Sequence, residues 1–366
     1  MKVANITLHA INNYGSVLQT LATECIFEQL GCEVETIDYV RETAQLDSFL
    51  KILKYGGPGL KIKCKQLLLH LFQGHDKRVD VLNEFRTKYL HLGDVKYRSD
   101  ADLKQNPPVA DIYCTGSDQT WNTEVQGGVP KAFFLHFTPE DKRRIAFSAS
   151  FGIESLPQKD REEVKGLLSR YAYLSVRERS GLRILNELGF NDAVQVLDPT
   201  LAVRSDLWYE MAAERIIKED YIFVYQLNTS SAFSKYVNGF AASKGLPVVY
   251  VKARENKELK NSRFMECPSP EELLSLFKYS SYVITDSFHA TAFCLIFHCN
   301  FIDIYPEKFP TRLDSILKMT GLEKRHLTSL DDYSIADEAI DYGHVDGILD
   351  QERTNTMAFL KKAISQ

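Results

Sequence analysis

The chain has 366 residues, a mass of 41.8 kDa, 44% apolar and 25% charged residues, and a net charge of −5. That size carries a prior of about two domains and enough apolar material for two separate cores, which excludes a disordered tail or a disulfide-stapled miniprotein. The negative balance argues against bulk electrostatic capture of nucleic acid, so no nucleic-acid partner is expected.

The opening Met1-Lys2-Val3-Ala4-Asn5-Ile6 has no uninterrupted apolar run and no small-residue cleavage site, so no secretory signal is read there. Residues 3–8 read as a strand. Residues 14–30 carry helical spacing (Val17, Leu18, Leu21, Ala22, Cys25, Ile26, Leu30), Gly31 stops that helix, and 34–39 read as a second strand. A βαβ start favours a parallel sheet covered by helices. Further strands are predicted at 110–115, 144–148 and 174–176, with helices at 161–171 and 178–188. Residues 41–105 interrupt this rhythm. Between Lys51 and Arg78 stand seven Lys/Arg and one acid, interleaved with Leu67, Leu68, Leu69, Leu71 and Phe72. A helical insertion with solvated basic residues is the plain account. A surface resting on an anionic membrane or acidic glycan, and so a peripheral membrane contact through 51–78, is the functional one.

Asp198-Pro199-Thr200-Leu201 closes the first half, and a helical linker follows at 208–217. The rhythm restarts with strands at 222–227, 247–251, 282–285 and 301–305, and helices at 231–242, 271–279 and 288–298. A last helix is predicted at 345–364. The fold expected is therefore α/β, with two doubly wound βα domains facing a cleft. Residues 1–205 form the first, with the insertion at about 41–105, and 206–345 form the second. The helix at 346–366 packs back on the first. The most apolar stretch, 281–302, is broken by Asp286, His289, His298 and Asn300, and reads as strand–helix–strand instead of a membrane span. Cys25, Cys32, Cys64, Cys114, Cys267, Cys294 and Cys299 are scattered without a CxxC pair, as expected of reduced thiols in a cytoplasmic protein and not of a zinc site.

In doubly wound sheets ligands bind beyond the carboxyl ends of the strands, so motifs just after strands carry the site. Asn13-Tyr14-Gly15-Ser16 follows the first strand and suits either a turn with an N-cap or a grip on an anion or sugar hydroxyl. Thr115-Gly116-Ser117-Asp118-Gln119-Thr120-Trp121-Asn122 combines a carboxylate, amides, hydroxyls and one aromatic plate. Those groups suit a sugar, with Ser117, Gln119 and Asn122 for hydroxyls, Trp121 for the ring face and Asp118 as a base. An Asx-turn with a half-buried Trp explains the same residues. Ser175-Val176-Arg177-Glu178 puts Arg177 where a strand gives way to a helix, to hold a carboxylate or phosphate, or else to pair with a neighbouring Glu. Thr285-Asp286-Ser287-Phe288-His289 caps a helix with Ser287 or Asp286 and sets His289 in its first turn, where it would move a proton or sit satisfied in the core. Lys308 and Arg312, on a predicted loop after the next strand, offer two more cations or a solvated loop. No P-loop, GxGxxG, HExxH or GxSxG pattern is present.

These motifs, with Ala149-Ser150-Phe151-Gly152 and Leu197-Asp198-Pro199-Thr200 added, resemble the polysaccharide pyruvyl transferase family over about residues 3–325. The resemblance implies a fold similar to GT-B glycosyltransferases. It also implies transfer of the pyruvyl skeleton of phosphoenolpyruvate to two hydroxyls of a sugar or glycan, in exopolysaccharide biosynthesis, with a cyclic ketal formed and phosphate released. It implies no metal and no cofactor beyond the phosphoenolpyruvate donor, and a cytoplasmic enzyme at the inner face of the membrane if the acceptor is lipid-linked. Family arginine and histidine positions around the donor map onto Arg177 and His289. A second family arginine, two residues before the histidine, is Ser287 here, and Arg312 or Lys308 is expected to replace it. A GT-B glycosyltransferase using a nucleotide sugar is the alternative.

Overall fold

The computed structural model describes residues 1–40, 77–228, 230–252, 255–307 and 310–365. Lys308 and most of the basic stretch at 51–78 lie outside the described residues.

The first sheet is all parallel, in the order β2 (Glu33–Thr36), β1 (Lys2–Ile6), β3 (Ile112–Thr115), β4 (Arg143–Ala146). Single bridges from Ile145 to Tyr173 and from Ala149 to Val176 lead on to the short pair β5 (Ser175–Val176) and β6 (Val194–Gln195). The second sheet is also parallel. Its strands are β7 (Ile222–Tyr225), β8 (Val248–Val251), β9 (Ser262–Phe264), β10 (Tyr282–Thr285) and β11 (Phe301–Asp303), in the order β11-β10-β7-β8-β9. β3, β7 and β8 read Ile-Tyr-Cys-Thr, Ile-Phe-Val-Tyr and Val-Val-Tyr-Val and are buried at every position. Continuous apolar runs are what a parallel strand covered on both faces requires.

The main helices are α1 (Tyr14–Gln29), α2 (Lys77–Tyr89), α3 (Arg161–Leu168), α4 (Arg179–Glu187), α5 (Ser231–Lys244), α6 (Pro270–Lys278), α7 (Phe288–Ile296), α8 (Thr311–Thr320) and α9 (Tyr342–Ser365). The elements expected from the sequence leave out β6, β9 and α8. The first two are only two and three residues long, too short for a period to register. α8 opens directly after Pro310, where Pro-Thr-Arg reads as loop. Arg312, expected as a cation on a loop after the strand, instead occupies the first turn of this helix.

Each half has apolar clusters of its own, and a larger one joins them. That larger cluster runs from Val3, Val17 and Phe147 through Leu201 and Trp208 to Phe223, Phe293 and Leu360. α1 is buried around almost its whole circumference from Tyr14 to Glu24, as a helix sandwiched between the halves must be. α9 crosses back over the first half. Thr356 Oγ1 accepts from Leu197 N at 3.1 Å, and Arg353 Nε donates to Leu201 O at 2.8 Å. Among the described residues no helix is long and apolar enough to cross a membrane.

Candidate active site

The carboxyl ends of the two sheets face each other, and α1 and α7 meet there. Gly15 lies so close to His289 that a Cβ on it would sit 2.2 Å from the imidazole Nδ1. Only glycine permits that approach. Tyr14, fully packed, donates from its hydroxyl to Pro268 O at 2.6 Å across the same junction, so it joins the halves and is not open to a ligand. Asn13 caps α1, its side chain accepting from Gly15 N at 2.8 Å.

The turn after β3 is tightly built. A Cβ on Gly116, at φ 116°, would meet Phe147 O at 2.1 Å. Asp118 follows at φ 74°, a left-handed conformation that Asp tolerates better than most residues and that clusters at functional sites. Asp118 Oδ2 accepts from Ser16 Oγ at 2.8 Å, and Oδ1 accepts from Gln119 N at 2.8 Å and Arg177 Nη2 at 3.0 Å. Despite burial, the Arg177, His289 and Arg312 side chains hold its carboxyl well below the usual carboxylate range. So placed, Asp118 is an ion-pair partner and a poor base, contrary to the expectation for it.

Arg177 is equally committed. Its side chain is fully buried, its Nη1 donates to Asp198 Oδ2 at 2.7 Å, and its guanidinium lies 4.7 Å from the centre of the Phe288 ring. Glu178 Oε2 is 3.8 Å from Arg177 Nε. Glu178 Oε1 gathers the following loop, accepting from Ser150 Oγ, Phe151 N and Gly152 N at 3.0–3.1 Å. Asp198 also accepts from Ser117 Oγ at 2.9 Å and Thr200 N at 3.0 Å. Arg177 was expected to face an open cleft; two carboxylates already take its terminal nitrogens, while its Nε, like that of Arg312, has no hydrogen-bond partner. Asp198 and Glu178 were missed as site residues, although both stand in the quoted motifs. Nothing in the spacing pairs Asp198 with an arginine 21 residues earlier.

Four expected substrate contacts belong to the scaffold instead. Trp121 is completely buried, stacks on Phe134 at 5.3 Å and donates from Nε1 to Phe133 O at 3.1 Å. Asn122 caps the short helix Thr123–Gln126, accepting from Glu124 N and Val125 N. Ser175 is buried between Ala146 O and Ser148 N. Ser117 is likewise buried, its one hydroxyl proton shared between Ser148 O and Asp198 Oδ2, each 2.9 Å away. The local reason is the same in each case: a polar side chain next to a parallel strand end is used to tie the neighbouring loop.

Arg312 differs from Arg177. It enters from the other half on α8, which is docked by Ser315 Oγ accepting from Arg179 N at 3.2 Å and Gln195 Nε2 at 3.1 Å. Its partner is the Gln119 carboxamide: with the amide oxygen turned toward it, Oε1 accepts from Nη1 at 3.0 Å and Nη2 at 2.6 Å. Among the described residues no carboxylate lies within ion-pair distance of it, and its Nε is buried without a partner. Burial lowers its pKa to about 10, with Arg177 adding to the effect. A desolvated guanidinium whose hydrogen-bond partner is a neutral amide has the chemistry to hold an anion.

His289 completes the group. It is 8% exposed, its Nε2 lies 3.9 Å from Asp198 Oδ2, and that nitrogen has no hydrogen-bond partner. Burial lowers its pKa to about 4 against the pull of Asp198 and Asp118, so the resting imidazole is neutral near pH 7. The capping residue Ser287 makes no side-chain cap, while Asp286 turns away to accept from Leu227 N at 2.7 Å and Asn228 N at 2.8 Å. The free N–H groups of the first turn of α7 are therefore not capped by either side chain. Arg177, Arg312, Asp118, Asp198, Glu178 and His289 thus form one cluster in which carboxylates outnumber guanidiniums.

A family model for polysaccharide pyruvyl transferase matches residues 13–306. No curated protein matches the chain in sequence. Among solved structures, UDP-GlcNAc 2-epimerase from Neisseria meningitidis bound to UDP-GlcNAc aligns at TM-score 0.51 and 10% identity over 100% of this chain and 99% of that one. The S. aureus MnaA–UDP co-structure aligns at TM-score 0.53 and 11% identity over 100% and 98%. At that identity the likeness is one of fold, and the fold is the GT-B type. With the match covering most of its length, the chain belongs to the polysaccharide pyruvyl transferase family.

Proposed function

We propose that the protein transfers the pyruvyl group of phosphoenolpyruvate to two hydroxyls of one sugar unit, forming a cyclic ketal. The observation that carries this reading is Arg312: a desolvated guanidinium with no carboxylate partner among the described residues, in the same cluster as an unpartnered histidine nitrogen in the first turn of α7. Arg312 and the first-turn N–H groups hold the donor's carboxylate and phosphate. Arg312 thereby takes the place of the arginine absent at Ser287. Arg177, paired with Asp118 and Asp198, orients the site instead of gripping the donor itself.

The bound trianion sits beside His289 and raises its proton affinity from the resting value of about 4. His289 then protonates the methylene carbon, and the double bond's electrons form the new C–H bond. The first sugar hydroxyl adds to the electrophilic carbon and its proton returns to His289. The C–O bond to phosphate breaks, the second hydroxyl closes the ring, and its proton leaves with the phosphate as hydrogen phosphate. One hydroxyl proton ends on the methyl group and the other on phosphate, so the reaction balances without an added acid.

The test is incubation with phosphoenolpyruvate and pyranoside acceptors. Inorganic phosphate release together with a ketal methyl resonance supports the proposal. Nucleoside diphosphate release from a nucleotide sugar, with phosphoenolpyruvate inert, supports glycosyl transfer instead, which the GT-B fold also accommodates.

A further inference from the structure

Asp303, the last residue of β11, is completely buried, and so is Thr291 one helical turn into α7. Both Asp303 oxygens lie within hydrogen-bond distance of one group, the Thr291 hydroxyl, at 2.8 and 3.0 Å. The same hydroxyl is 3.1 Å from Ser287 O, the cap carbonyl of α7. No lysine, arginine or histidine pairs with Asp303 among the described residues. The titratable groups facing it are Asp286 from the β10–α7 turn, Cys294 on α7 and Tyr305 beyond β11, and His326 bridges its backbone.

Counting hydrogens decides the state of this group. A threonine hydroxyl has one proton to give and an ionised carboxylate has none. With Asp303 ionised, Thr291 serves either the carboxylate or Ser287 O, and a buried charge is left with a single hydroxyl, which is costly. With Asp303 neutral, its O–H donates to Thr291 Oγ1 and the Thr291 O–H donates to Ser287 O. Ser287 O then receives Thr291 Oγ1 at 3.1 Å and the helical Thr291 N at 3.0 Å, so every hydrogen of the relay has an acceptor, and a neutral acid carbonyl stands in place of a poorly solvated buried charge. Burial pushes the Asp303 carboxyl far up, in the same direction.

We propose that Asp303 is a positioning residue: a neutral carboxylic acid whose proton, passed on through Thr291, pins the first turn of α7 and so holds His289 against Asp198. The pinning stands on the geometry alone; its effect on turnover rests on the pyruvyl-transfer reading.

Two measurements that need no turnover test it. In a carboxyl infrared difference spectrum of wild type against D303N, the C=O stretch of a protonated acid disappears. In amide hydrogen exchange, the peptide spanning 285–293 opens about 10-fold or more faster in D303A and T291V, while D303N and T291S keep wild-type protection. The amide of D303N still donates to Thr291 Oγ1, and T291V keeps the volume of threonine without its hydroxyl, so protection kept in D303N and lost in T291V separates the relay from mere filling of space. No protonated-acid band lost in D303N, or D303N as unprotected as D303A, overturns the proposal. With phosphoenolpyruvate and acceptor, D303A and T291V lower kcat about 10-fold with the donor KM nearly unchanged, and D303N does not. Normal kcat in D303A despite fast exchange removes the link to His289. A wild type inert toward phosphoenolpyruvate removes the pyruvyl-transfer reading and leaves the exchange result standing.

Discussion

Arg177 and Arg312 stand in one cluster with opposite physical characters. Arg177 is neutralised by Asp118 at 3.0 Å and Asp198 at 2.7 Å, whereas Arg312 meets only an amide. Removing one partner of a buried ion pair strands the others, so R177A should lose about 3–5 kcal/mol of stability, read as the urea midpoint. R312A removes a guanidinium that has no close ion pair but offsets the Asp118, Glu178 and Asp198 charges at longer range. Its midpoint should fall less than that of R177A, while phosphoenolpyruvate affinity measured by calorimetry falls about 100-fold. Equal affinities for R312A and wild type would take the anion site away from Arg312. His289 is tested by the same logic. H289A should cut turnover about 100-fold or more. G15A leaves the imidazole in place chemically but drives a methyl into its Nδ1, and a shift of about 1 Å at a reacting group is enough for a similar loss. If G15A turns over normally, the junction yields more than its packing suggests and positioning of His289 is not limiting.

At the scale of elements, the loop between β1 and α1 is held from outside by α2. Arg86 is 5% exposed, and its Nε donates to His9 O at 2.8 Å, its Nη2 to Ile11 O at 2.8 Å, and its Nη1 to Asn83 Oδ1 at 2.8 Å. All these acceptors are neutral, so the guanidinium acts as a fork that fixes loop geometry. R86A should cost about 3 kcal/mol and R86K nearly as much, since an ammonium cannot span the two carbonyls. Exchange of amides 9–13 should rise with it; unchanged exchange would mean the loop is fixed by α1 alone. This strut shows where the sequence is mute. The strands and helices that flank the site were legible, because parallel strands buried on both faces are written as Ile-Phe-Val-Tyr or Val-Val-Tyr-Val and their helices keep a 3.6-residue period. The post-strand motifs that meet at the junction were legible too, since doubly wound topology puts strand ends together. What could not be read was which polar residues face a ligand. Trp121 and Asn122 look like sugar contacts as residue types, and only the packing of Phe134 and the short helix after Asn122 turns them inward. Arg86 depends on partners far along the chain, which no local period encodes, whereas α8 does keep a helical period in Leu313, Ile316, Leu317 and Thr320, obscured by the Pro310 before it.

The whole molecule is organised around a buried charge cluster at the junction of its halves, and this couples its stability to pH. His289 ties the second half to Gly15 and Asp198 of the first. Its pKa is lowered to about 4 in the folded protein by burial, against about 6.5 for an exposed histidine. Between those values the unfolded chain binds a proton that the folded one does not, so stability rises with pH across this window. It is complete above pH 6.5 and falls as the pH drops toward 4, by at most about 3 kcal/mol from this group. Asp118 and Asp198, whose pKa values are lowered, add a further loss as the pH falls below the ordinary carboxylate range. Glu24, buried on α1 and raised to about 7, works the other way: its contribution is full below the usual glutamate pKa and fades as the pH rises through 7. A wild-type profile therefore mixes opposing slopes, and the difference between wild type and H289Q isolates the histidine, because Glu24 is common to both. That difference should change by a few kcal/mol between pH 4 and 6.5 and be flat from pH 7 to 8, as read from urea midpoints. A flat difference across the acid window would mean that His289 titrates as if exposed, and that the halves open at the junction in solution.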